Sequence, residues 1–174
     1  IVHRDLKPSN ILVTWRADGS ALLKVLHFGI SKAPIGVHLA LTQTQSVLGT
    51  PAYMSPEQAA AAPNVDHRAD IYALGIVPFE MIAGRTPFAG RSPQQMLAAH
   101  SVEAPPPIAT VRTTVAPALA ALVMRCLEKS PADRPQTIDA VLHELNAIAT
   151  PSGGTAPHMA VAPRARVRPW VRAA

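Results

Sequence analysis

Cysteine is nearly absent from this chain: Cys126 is the only one in 174 residues. That excludes an internal disulfide and any site built from several thiolates, and it suits a reducing cytoplasm. Cys126 lies in the apolar stretch "LVMRCLEK", the setting of a buried, inert thiol rather than a nucleophile. Seven histidines are scattered without metal-ligand spacing. No apolar run approaches the length of about 18 residues that a membrane helix needs. Charge begins at Arg4, so the amino terminus does not read as a secretory signal. Acidic residues are missing from 150–174, which holds Arg164, Arg166, Arg168 and Arg172. Four of the five net positive charges therefore belong to the tail. Elsewhere twelve basic residues face eleven acids, and no nucleic-acid footprint is expected.

What is present is the composition of one soluble globular domain, 48% hydrophobic and 16% charged. The eighteen prolines recur too regularly for a single disordered tract and read as helix starts and loop punctuation. "NILVT" and "LLKVLHF" are short β-rich runs joined by "WRADGSA", where Asp18-Gly19 signals a tight turn; together they predict a hairpin. Residues 31–54 have no period and read as a long loop, a length that usually serves function. Ser55-Pro56 with Gln58, and Ser92-Pro93 with Gln95, predict two capped helix starts. Between them "DIYALGIVPFEMIAG" has apolar residues at 71, 74, 77, 81 and 82 and a stopping Gly84, as a buried helix would. Leu119, Leu122, Val123, Cys126 and Leu127 predict one further helical stripe, and Ile138, Val141, Leu142, Leu145 and Ile148 another. The expected fold class is α+β, mainly α, over residues 1–149, followed by a Pro/Ala/Arg-rich linker or tail over 150–174.

"HRDLKPSN" at 3–10 concentrates an acid, a lysine and an amide directly before a strand. Asp5 could accept a proton, Lys7 could neutralise phosphate and Asn10 could offer oxygen to a hard cation. A polar turn capping a strand is the plain alternative.

Together with "HFG" at 27–29, "GTPAYMSPE" at 49–57, "DIYALG" at 70–75 and "DRP" at 133–135, in that order, the segment resembles a known family. Residues 1–149 are similar to the C-terminal lobe of a bacterial, eukaryotic-type serine/threonine protein kinase. The resemblance implies a protein-kinase-like fold, ATP and Mg²⁺ as cofactors, and transfer of the ATP γ-phosphate to protein Ser/Thr hydroxyls. Asp5 would then receive the substrate proton, Lys7 would meet the γ-phosphate and Asn10 would bind a second Mg²⁺. Thr50 would pack by Asp5 and shape the peptide site. Arg4 would receive a regulatory phosphate, with Thr42, Thr44 and Ser46 as the available acceptors; those three also read as an ordinary solvated loop. Glu57 and Arg134 would form a structural ion pair, and Asp70 would brace the catalytic loop.

Three features depart from the family. His27 stands where an aspartate holds Mg²⁺, and imidazole is a poor ligand for a hard ion that wants oxygen. A Mn²⁺-supported function or a direct contact between imidazolium and phosphate would be its remaining metal-site uses. The family's glycine-rich loop, strand lysine and helical glutamate have no counterpart in the 174 residues, so the expectation is a C-terminal lobe without the N-terminal one, its apolar floor exposed. Pro78 falls inside the central helix pattern, where proline costs about 3 kcal/mol. The ending "RARVRPWVRAA" reads either as a cytoplasmic approach to a membrane helix beyond the chain, or as a free basic tail.

Three readings follow: a kinase, inactive as these residues alone; a pseudokinase that docks protein partners; and a remnant without function.

Overall fold

The structure, a computed structural model, describes residues 1–28 and 51–149. It is mostly helical with one small sheet. Strands β1 (Ile11–Trp15) and β2 (Ala21–Val25) pair antiparallel, with Ile11 opposite Val25 and Trp15 opposite Ala21. In the turn Gly19 N–H donates to the Arg16 carbonyl at 3.0 Å, Asp18 Oδ1 accepts the Ser20 N–H at 2.8 Å, and Gly19 supplies a φ of 83°. The second strand stops at Val25, short of the predicted run through Phe28.

Among the described residues six helices follow: α1 (Pro56–Ala59), α2 (Arg68–Ala83), α3 (Pro93–Val102), α4 (Ile108–Val111), α5 (Pro117–Cys126) and α6 (Ile138–Ala149). Both predicted capping boxes form, at Ser55 with Gln58 and at Ser92 with Gln95. Gly84 ends α2 in a left-handed conformation at φ 74°, where a Cβ would be strained. No periodic signal in the sequence marks α4; its four residues are held by burial of Ile108.

The core is built around α2. Tyr72, Ile76 and Phe79 pack with Ile108, Ala120, Val123 and Leu127, while Ile71 packs with Leu122, Cys126 and Val141. Each large side chain taken out of water here contributes about 1.5–3 kcal/mol. α2 is a buried helix as predicted, with Ile71 buried and Leu74 and Ile82 packed on the core, but its deepest side chains are Tyr72, Ile76 and Phe79, and Met81 is exposed. A helix packed on several sides is apolar nearly all round, so periodicity could not pick its deepest side. The α6 stripe is also only partly right. Val141 is buried, but Ile138, Leu142 and Leu145 are exposed, because nothing among the described residues covers that side. Cys126 is buried as expected, and burial pushes its thiol up to about 11. No helix among the described residues is long and apolar enough to cross a membrane.

Candidate active site

Residues 3–10 reach over the start of α2. The Asp70 carboxylate, in the first turn of that helix, accepts the backbone N–H of His3 at 2.7 Å and that of Arg4 at 2.8 Å. Charge-assisted bonds of this kind are about twice as strong as neutral ones. They hold Arg4 at φ 67°, in the left-handed region that non-glycine residues avoid. The sequence reading gave His3 no role, yet it is buried and works at both ring nitrogens. Nδ1 accepts the Asp5 N–H at 3.2 Å and Nε2 donates to the Leu26 carbonyl at 2.7 Å, an arrangement that selects the neutral Nε2–H tautomer. The His3 ring also meets Phe28 edge-on, with centroids 4.9 Å apart.

Asp5, Lys7 and Asn10 converge. Lys7 Nζ lies 3.0 Å from Asp5 Oδ2, and Asn10 Nδ2 donates to that same oxygen at 3.0 Å and to the Asp5 carbonyl at 2.7 Å. Asp5 Oδ2 is thereby occupied, while Oδ1 has no partner among the described residues. Asn10 is buried where a 3-10 turn, Pro8–Asn10, runs into β1, and its carbonyl accepts the Leu26 N–H at 2.9 Å. The polar segment and the hairpin therefore form one unit. A carboxylate with one oxygen held by Lys7 and Asn10, beside that ammonium, can accept a proton while the cation offsets negative charge nearby.

His27 and Phe28 follow β2 and are exposed, with His27 at φ 62°. Histidine is among the residue types that enter this region more readily than most, so the backbone shape does not demand an aspartate. The donor set is another matter. Asn10 offers one amide oxygen and Asp5 only Oδ1, since Oδ2 is engaged by Lys7 and Asn10, while His27 offers nitrogen; among the described residues no group of three His, Cys, Asp or Glu side chains could hold a metal. These residues do not fit a Mg²⁺ ion, which demands hard oxygen ligands in near-octahedral geometry.

The Arg4 side chain extends to the Val65 carbonyl at 3.4 Å. Thr42, Thr44, Ser46 and Thr50 lie outside the described residues, as does the tail over 150–174. Tyr53, in the turn Pro51–Tyr53, donates its hydroxyl to Glu80 Oε2 at 2.5 Å and so anchors that turn to α2. Neither residue stood out in the sequence, since the bond spans 27 positions.

Arg134 is buried and spends its donors fully. Two go to Glu57, at 2.8 Å each; others reach the Arg68 and Glu128 carbonyls at 2.8 Å and the Lys129 carbonyl at 3.0 Å. Its guanidinium also lies 5.0 Å from the Tyr72 ring centre. Beneath it, Lys129 donates to the Tyr72 hydroxyl at 3.4 Å and Tyr72 bonds His100 Nδ1 at 2.9 Å. Burial, and then the nearby Arg134 charge, lower the Lys129 ammonium to about 8. His100 Nε2 is buried and has no hydrogen-bond partner among the described residues.

Comparison with known proteins decides the family. The family model for the protein kinase domain matches residues 1–145. The chain belongs to the protein kinase family. Its relatives include the serine/threonine-protein kinase pkn3 of Myxococcus xanthus, 41% identical over 152 residues, which cover 85% of this chain and 28% of that protein. Pkn1 of the same organism is 41% identical over 145 residues, 83% of this chain and 21% of that protein. PknB of Mycolicibacterium smegmatis is 41% identical over 137 residues, 79% of this chain and 21% of that kinase. The chain thus spans about a quarter of the length of the curated relatives it matches. It is thus a protein kinase domain by family, similar to serine/threonine kinases of bacteria.

Proposed function

We propose that residues 1–149 are the helical, substrate-side lobe of a serine/threonine protein kinase, whose chemistry is transfer of the ATP γ-phosphate to a protein hydroxyl. The observation that carries this reading is the Asp5–Lys7–Asn10 cluster, held on α2 by Asp70. In this reading Asp5 Oδ1 orients the substrate hydroxyl and takes its proton, the role the family assigns to that position. Lys7 places its ammonium where the transferring phosphate gathers negative charge. Asn10, through its amide N–H on Oδ2, keeps the Asp5 carboxylate from rotating. Kinases of this family use ATP and Mg²⁺, and the glycine-rich loop that would carry the phosphates is not among these 174 residues. The chain by itself is therefore proposed not to transfer phosphate. Its partners are proposed to be protein substrates or docking proteins in a cytoplasmic setting, with any membrane attachment made outside residues 1–149.

His27 favours a second reading, a pseudokinase that binds partners without catalysis, because its imidazole does not replace a carboxylate toward Mg²⁺. One experiment separates the two. Phosphate transfer from ATP to a protein acceptor is measured for the chain alone and for the chain joined to the ATP-binding lobe of a bacterial relative, each with His27 and with His27→Asp. Transfer by the joined His27→Asp protein that Asp5→Asn abolishes supports the kinase reading. No transfer even with that reversion ends it and leaves the binding module.

A further inference from the structure

We propose that Gln58 is a positioning residue for Asp5: its side-chain amide pins the Arg4–Asp5 peptide and thereby aims the Asp5 carboxylate. The inference rests on the reading of Asp5 as proton acceptor.

Gln58 is the third residue of α1 and has two jobs that its two amide atoms divide. Oε1 accepts the Ser55 N–H at 3.1 Å, which closes the capping box. A capping box needs only that oxygen, and glutamate would serve it as well, with the helix dipole in its favour. Nε2 goes elsewhere: it donates to the Arg4 carbonyl at 2.7 Å, across 54 positions of sequence. Gln58 is 8% exposed, so an amide nitrogen there requires a partner, and the Arg4 carbonyl is the one it has.

The receiving peptide is unusual. Arg4 stands at φ 67°, a conformation that persists only where the surroundings over-determine it. Asp70 holds the Arg4 N–H at 2.8 Å, Gln58 holds the Arg4 carbonyl, and His3 Nδ1 holds the Asp5 N–H at 3.2 Å. The peptide unit between Arg4 and Asp5 is thus gripped at both polar ends. Its orientation sets ψ of Arg4 and φ of Asp5, hence the direction in which the Asp5 side chain leaves the backbone. Release of the carbonyl would let that unit rotate and carry the carboxylate with it, while the helical core around Tyr72 stays intact. The same amide couples α1 to the catalytic segment, so a shift of α1 would be felt at Asp5.

Gln58→Glu isolates the clamp from the cap, since it keeps the capping oxygen and turns the donor into a second acceptor facing a carbonyl. Gln58→Met, neutral and of similar length, removes both bonds. Amide hydrogen exchange of the full chain is followed at Arg4 and Asp5 and across α3 as an internal reference. Both variants are expected to speed exchange at Arg4 and Asp5 by about tenfold or more while α3 is unchanged. Faster exchange in Gln58→Met alone would assign the effect to the cap and overturn the proposal, as would unchanged exchange in both. In the His27→Asp chain joined to an ATP-binding lobe, Gln58→Glu is expected to lower kcat by about 10- to 100-fold with both KM values unchanged. An unchanged kcat beside an active parent overturns the clamp's catalytic role. A parent that transfers no phosphate ends the kinase reading instead, and exchange still decides the clamp.

Discussion

Arg134 and Glu57 meet through two parallel hydrogen bonds of 2.8 Å each, although 77 positions separate them in sequence. Burial pushes the Glu57 carboxyl up, but the Arg134 hydrogen bonds outweigh it and leave the group below the ordinary carboxylate range. Removing one partner strands a buried charge. Arg134→Met is expected to cost about 3–5 kcal/mol in urea unfolding at pH 7, and a loss under about 1 kcal/mol would refute that. Because the folded value is depressed, the stabilisation is fully present above the unfolded carboxylate value and is lost as pH falls through the folded one. The gap between parent and Glu57→Gln should therefore narrow below about pH 4.

Gly75 lets α5 approach α2. A Cβ there would sit 2.7 Å from Cys126 Cβ and 3.1 Å from Leu127 Cδ2, and the first of these cannot move without the α5 backbone. Gly75→Ala is expected to destabilise by about 1–3 kcal/mol, even though alanine is the better helix former. A raised melting temperature would show that the two helices can part at little cost.

Pro78 lies within α2, which continues through it to Ala83. The helix therefore lacks one N–H donor toward the Leu74 carbonyl. Pro78→Leu should raise the unfolding midpoint, by up to about 3 kcal/mol in free energy. An unchanged or lower midpoint would mean that the surrounding packing has adapted to the ring.

His100 is fully buried beside Tyr72 and Phe88, and burial, followed by the Lys129 charge, lowers it to about 4. Between about pH 6.5 and 4 the unfolded chain takes up a proton that the folded chain refuses, so stability falls as pH falls across that window. The loss is about 3 kcal/mol if the whole shift is expressed. His100→Gln should flatten the slope between pH 6.5 and 4; a slope equal to the parent's would place its origin in another group.

Much of this architecture is legible in local sequence, for a definite reason. Capping boxes at Ser55 and Ser92, the Asp18-Gly19 turn and the Gly84 stop are short-range chemistry: donor and acceptor lie within a few residues, so spacing alone predicts them. Asp5, Lys7 and Asn10 are likewise close in sequence, and their convergence needs only one turn. The kinase family itself is legible because several such segments occur in a set order.

Tertiary structure alone decided which atoms those segments present to one another. The Asp70 grip on His3 and Arg4 spans 67 and 66 positions, the Gln58 reach to Arg4 spans 54, and the Tyr72–His100 pair spans 28. None of these leaves a periodic trace, because each is one polar atom finding the nearest unsatisfied partner after the helices have packed. Periodicity marked α2 as a buried helix but not its deepest side, since neighbours on several sides leave it apolar nearly all round and only packing selects Tyr72, Ile76 and Phe79. Sequence determined which elements form and which side chains can do chemistry. Packing determined where the carboxylate of Asp5 points, since a backbone held at φ 67° is stable only while distant residues hold it there.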